Sequence, residues 1–86
     1  MKVLVPSPLF SYTRGRSEVE AAGRTLAEVM ADLDVRFPGL RFRVVDEQGA
    51  IREHVRMWVS GTLARSLDVP VSHDDEVVIV AALSGG

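Results

Sequence analysis

Cysteine is absent from the 86 residues. That excludes a disulfide framework, a cysteine-ligated metal site and any chemistry that parks a group on a thiol of this chain. An excess of charge of one sign is missing as well. With 10 Lys and Arg against 12 Asp and Glu the formal net charge is -2, and this gives no general pull toward nucleic acid or a membrane surface. No stretch approaches the length of an apolar membrane span. The opening MKVLVPSPLF is too short, and too broken by Pro6 and Pro8, for the apolar core of a signal peptide. The expected compartment is therefore the cytoplasm. No Ser-His-Asp or paired-carboxylate constellation can be assembled, so the chain is read as not an enzyme by itself. His54 and His73 fall in different segments without a second ligand at metal spacing. Asp74, Asp75 and Glu76 lack the alternation of a calcium loop and read as a solvated turn. Neither a metal nor a bound cofactor is expected.

What is present is an apolar fraction of 47% in one small domain, enough for a modest core without staples. Lys2–Pro8 reads as a strand that its prolines end, Thr13–Arg16 as an exposed turn, and Ser17–Ala22 as its hairpin partner around Val19. Thr25 followed by Glu28 forms a capping box. Leu26, Val29, Met30, Leu33 and Phe37 then share one face of a helix that Pro38 and Gly39 stop. Leu40–Asp46 alternates apolar residues with Arg41 and Arg43 and predicts a strand, with Glu47–Gly49 as a turn. His54–Gly61 alternates again, placing Val55, Met57 and Val59 on one face and Arg56 and Trp58 on the other. Trp58 suits either sheet packing or a partner anchor on an open face. Glu76–Leu83 is a continuous apolar run, which suits a central strand buried on both faces. The order strand, strand, helix, strand pair, strand predicts an α+β roll, a mixed sheet packed on one main helix. The chain then finishes on Ser84, Gly85 and Gly86.

The hairpin, the capped helix, the VSG turn at Val59–Gly61 and the closing DDEVVIVAALSGG together resemble the MoaD/ThiS sulfur carrier proteins, which share the ubiquitin-like β-grasp fold. The resemblance spans essentially the whole chain and is closer to MoaD-like members, including the carrier that feeds a cysteine synthase. It implies a single β-grasp domain over residues 1–86, with 83–86 as a flexible exposed tail. Three positions depart from the family pattern. Ser60 stands where Asn is common before Gly61, and Ala81-Ala82 replace frequent prolines. Asp74 stands where Gly often precedes the Asp-Glu pair, a position at which Asp tolerates a left-handed backbone.

The resemblance also implies a chemistry. The α-carboxylate of Gly86, with a reference pKa of about 3.3–3.7, is an anion at neutral pH and a poor electrophile. An adenylating enzyme of the ubiquitin-activating type would convert it to an acyl adenylate, using ATP that the partner binds. Sulfur transfer would then leave a thiocarboxylate. Gly85 and Gly86 have no Cβ to obstruct a narrow channel, and without cysteine the terminal acyl group is the remaining place for sulfur. Molybdopterin, cysteine and thio-metabolite biosynthesis all fit as the destination, through a sulfur-accepting synthase. A docking face is implied at Pro6, Leu63 and Val80, continuing into Leu83 and Ser84, with Arg56 and Arg65 at its rim. Two other classes compete. One is a protein modifier acylating lysines, for which Lys2 is the single lysine of this chain; the other is a β-grasp interaction module without tail chemistry.

Overall fold

Alternation along the strands sorts the side chains of one sheet into a covered face and an open face. The computed structural model describes residues 1–82. Its strands are β1 (Lys2–Leu4), β2 (Glu18–Glu20), β3 (Val55–Val59), β4 (Thr62–Ala64) and β5 (Glu76–Ala81), in the sheet order β2-β1-β5-β3-β4. β5 runs parallel to β1 and antiparallel to β3, while the outer pairs are antiparallel hairpins. Val3, Val19, Met57 and Ile79 point to the covered face and are buried. Across that face lies α1 (Leu26–Arg36), which contributes Leu26, Val29, Met30 and Leu33 to the core. An 11-residue helix is marginal alone; burying such side chains, at about 1.5–3 kcal/mol each, is what holds it. Phe37 is the C-cap and only packs against the edge of the core.

The start of α1 is closed by its neighbours. The Thr25 hydroxyl accepts from the Glu28 N–H at 3.2 Å, as the capping box predicts. The Glu28 carboxylate, however, accepts from the N–H of Arg24 at 3.0 Å and not from that of Thr25. The N–H groups of Leu26 and Ala27 donate to the carbonyls of Val69 and Leu67 at 3.1 and 3.0 Å. The loop after β4 thereby satisfies donors that a helix end leaves orphaned. Gly23 sits against this turn: a Cβ there would lie 2.8 Å from the Val29 nitrogen and 2.9 Å from the Glu28 Cβ.

Leu40–Asp46 is not a strand. Residues Leu40–Val44 form a second short helix, α2. Gly39, at φ 95°, reverses the chain, and the Asp34 carboxylate accepts from the N–H groups of Gly39 and Arg41 at 3.1 and 3.2 Å. As a strand the segment would send Leu40, Phe42 and Val44 to one face. In the helix Leu40 and Val44 are buried an i,i+4 pair apart, and Phe42 turns out to 58% exposure under the Arg52 guanidinium. The turn at Glu47–Gly49 is present, organised by the Asp46 carboxylate, but it closes only a Val45–Ile51 bridge. The strand pair is β3 with β4, one element later than the alternation suggested.

Two further expectations change. β1 ends at Leu4, and Ser7–Leu9 forms a 3₁₀ turn before the exposed Arg14–Gly15 reversal. Among non-glycine residues the left-handed positions are Arg14 and Ser60, not Asp74. Ser60 and Gly61, at φ 45° and 87°, make the two-residue β3–β4 turn, for which Asn-Gly is the favoured pair. Serine is held there by its hydroxyl, which donates to Asp75 at 2.7 Å and accepts from the Glu76 N–H at 3.2 Å. Asp75 also accepts from the Ser72 N–H at 2.8 Å. That backbone bond first, then the Ser60 hydroxyl, holds its carboxyl below the usual carboxylate range.

Two predictions follow from this packing. Gly23→Ala forces a backbone shift and costs about 1–3 kcal/mol, read as a lower denaturant midpoint at unchanged slope. Because the folded-state pKa of Asp75 is depressed, its contribution is complete above the unfolded value of about 3.9 and is lost as pH falls through the folded one. Asp75→Asn is therefore expected to lower the thermal midpoint at pH 7 and to flatten its decline below about pH 4. An unchanged acid limb would show that the Ser60–Asp75–Ser72 cluster contributes nothing.

Candidate functional site

β5 is the strand that joins the β1–β2 hairpin to the β3–β4 hairpin, and it is also the one that leads to the last residues. Its register pairs Val77 with Val59, Val78 with Trp58, Ile79 with Met57, Val80 with Arg56 and Ala81 with Val55. On the other side Val78 pairs with Leu4. The strand is therefore paired on both sides through Val78, and on the β3 side alone from Ile79 to Ala81. The last bond of this ladder is the Ala82 N–H to the His54 carbonyl, 2.9 Å.

The same register composes the open face. Leu4, Val78, Trp58 and Leu63 occupy successive strands in one row, and all four are half-buried with nothing packed over them. Val80 stands in the next row toward the chain end, 45% exposed and opposite Arg56. Pro6 lies two residues beyond Leu4 and is half-buried. Leu63 and Val80 thus share the open face and Pro6 borders it. β5 is central but not buried on both faces, because among the described residues no second layer covers Val78 and Val80. Leu83, Ser84, Gly85 and Gly86 lie outside the described residues.

Leu4 and Val78 belong to this face and were missed in the sequence. A continuous apolar run carries no period from which to choose a face, and only the pairing with Trp58 assigns one. Where β5 ends, Leu9, Tyr12, Arg43, His54, Ala81 and Ala82 help to line a concavity of about 300 Å³. Arg43 donates to the Tyr12 hydroxyl and lies over its ring. His54 contributes its backbone carbonyl to the ladder, and His73 is an exposed neighbour of Asp74 at 3.1 Å. Among the described residues no three His, Asp or Glu side chains gather as a metal site, and no helix is long and apolar enough to cross a membrane.

Comparison with known proteins identifies the family of this fold. The ThiS family matches residues 3–86. The chain belongs to the ThiS family. Its curated relatives include the sulfur carrier protein CysO of Mycobacterium tuberculosis, 30% identical over 98% of this chain and 96% of the relative. Among solved structures, that of the Amycolatopsis orientalis BexX/CysO complex superposes with a TM-score of 0.91 at 30% identity, covering 99% of this chain and 98% of the other. M. tuberculosis CysO superposes at 0.90 with 29% identity, over 95% and 98%. The fold is the ubiquitin-like β-grasp. As a ThiS-family member the chain is a sulfur carrier, a non-catalytic protein cosubstrate that donates sulfur as a thiocarboxylate in biosynthesis.

Because the open face carries no core load, its residues separate from the covered face in a stability assay. Met57→Ala and Ile79→Ala are expected to cost about 2–5 kcal/mol, whereas Val80→Ser stays within about 0.5 kcal/mol of the parent. Urea denaturation of the three variants checks this. A large loss at Val80 would mean that its side chain supports the core.

Proposed function

We propose that the α-carboxylate of Gly86 is the group that carries the sulfur. The observation that supports this most is that the family match runs through Gly85 and Gly86, shortly beyond the central strand β5. In the first step a carboxylate oxygen attacks the α-phosphate of ATP held by an adenylating partner of the ubiquitin-activating type, and pyrophosphate leaves. In the second, a sulfur nucleophile attacks the acyl carbon and AMP leaves. With sulfide as that nucleophile the acyl–oxygen bond to AMP is exchanged for an acyl–sulfur bond, a proton is lost, and the carrier ends as a thiocarboxylate with no change of oxidation state.

Gly85 keeps the approach narrow and conformationally free. Pro6, Leu63 and Val80, with Leu83 and Ser84 beyond them, form the docking face for the adenylating enzyme and then for the sulfur-accepting enzyme. One face used by both partners forces them to bind in turn, which calls for affinities modest enough to permit release. The similarity to CysO favours cysteine biosynthesis as the destination over the other sulfur-using routes. The chain needs no cofactor of its own in this scheme.

Intact mass of the purified chain, after incubation with ATP, a cognate adenylating enzyme and a sulfide source, tests the reading. The expected result is a gain matching exchange of one oxygen for one sulfur, absent when Gly86 is deleted. An unchanged mass with a demonstrably active enzyme would remove Gly86 from the chemistry and leave the fold as a binding module.

A further inference from the structure

The near-neutral composition hides a separation of charge that only the topology reveals. β1 and β5 run in parallel, and β2, β3 and β4 alternate around them. The end of the sheet at which β5 finishes is therefore also the start of β2, the start of β3 and the finish of β4. Arg14 and Arg16 precede β2, Arg52 and Arg56 bracket the entry to β3, and Arg65 follows β4. α1 begins against the opposite end, where Leu26 and Ala27 bond the loop after β4, and finishes at this one with Arg36. Arg36 lines a concavity of about 430 Å³ with Arg14 and Arg16, and α2 adds Arg41 and Arg43. Eight of the nine arginines in the sequence thus collect around the exit of β5, and Arg24 alone lies at the far end.

Half of the twelve carboxylates, Glu20, Glu28, Asp68, Asp74, Asp75 and Glu76, lie at the end where β5 begins, against Lys2 and Arg24. Asp32 lies midway along α1, and Glu18, Asp34, Asp46, Glu47 and Glu53 lie among the arginines, which outnumber them eight to five. Among the described residues Arg36 is the one arginine with a carboxylate within ion-pair distance, its partner being Asp32. Three others are fixed by neutral acceptors. Arg43 bonds the Tyr12 hydroxyl, Arg52 the Phe42 carbonyl at 2.7 Å, and Arg56 the Glu53 and Val55 carbonyls at 2.8 and 3.0 Å. Such bonds orient a guanidinium without neutralising it.

We propose that this arginine ring docks on an acidic rim surrounding the entrance through which a partner protein receives the end of the chain. The net positive charge at the exit of β5 orients the encounter, because the net negative far end is repelled by the same rim. A protein fits better than a nucleic acid. Glu18, Asp34, Asp46, Glu47 and Glu53 interrupt the ring at intervals, and a phosphate backbone would be repelled by them. Val80, Pro6 and Leu63 adjoin it and offer the apolar contact that a protein interface uses. The identity of the partner rests on the carrier reading, but the surface itself does not.

Titration of the isotope-labelled full chain with an oligoglutamate peptide, followed by amide NMR, tests the ring apart from the chemistry. The expected result is shifts around Arg43, His54, Arg56 and Arg65, little change near Lys2 and Glu76, and loss of binding at about 0.3 M salt. Arg56→Glu with Arg65→Glu should weaken the peptide at least about tenfold, Arg56→Gln with Arg65→Gln less so, and Lys2→Glu not at all. Deleting Gly85 and Gly86 should leave peptide binding intact while abolishing the mass gain, so the two readings fail separately. Equal shifts at both ends of the sheet, or binding unaffected by the reversals, would overturn the proposal. So would tighter binding of a single-stranded oligonucleotide by the same residues, which would make the ring a general polyanion site.

Discussion

Pairing of β5 between β1 and β3 is the interaction on which the rest depends. The two halves of the chain each close a small antiparallel ribbon, β1 with β2 and β3 with β4, and neither ribbon touches the other through its own strands. Isolated two-stranded ribbons are marginal in water. Insertion of β5 turns them into one five-stranded sheet and brings Val77 and Ile79 under α1, where they complete the core. The strand with the largest responsibility for the fold is thus the one that leads to Gly85 and Gly86.

That placement leaves the sheet asymmetric in a useful way. α1 and the loop over residues 67–71 occupy one face and satisfy one another's backbone groups, so that side has little polar capacity left to offer. The other face keeps Leu4, Val78, Trp58 and Leu63 in a row without a covering layer. A monomer that leaves such a strip in water bears the cost of wetting it, and a partner that covers it recovers that cost. Burial and charge point to the same end of the molecule, since the exposed side chain of Val80 and the bonded guanidinium of Arg56 are direct cross-strand neighbours.

Much of this was legible in the residues. The Thr25 cap, the apolar stripe of α1, the two faces of β3, the Ser60-Gly61 turn and the sulfur-carrier resemblance all have local signatures, and each is present. Leu40–Val44 was not legible, because Leu-Arg-Phe-Arg-Val alternates as well as any strand. What decides its state is a left-handed Gly39 together with an Asp34 carboxylate six residues before Leu40, both nonlocal to the pattern. The role of Ser60 was similarly hidden, since its hydroxyl partners lie 15 and 16 residues away. The arginine ring escaped for a different reason. Composition sums charge over the chain, and only strand direction says which charges meet.

The central position of β5 also bears on biosynthesis. Domains fold as units while or after they are made, the earlier parts first. Here the earlier parts are two unconnected ribbons and a helix awaiting a floor. Nothing upstream of Glu76 can supply the missing strand, so a polypeptide interrupted before Ala81 has neither a finished core nor the row of side chains that a partner would grip. Recognition of the folded surface would therefore double as proofreading of β5: a protein that bound the open face would, in the same contact, reject every chain interrupted before that strand was complete.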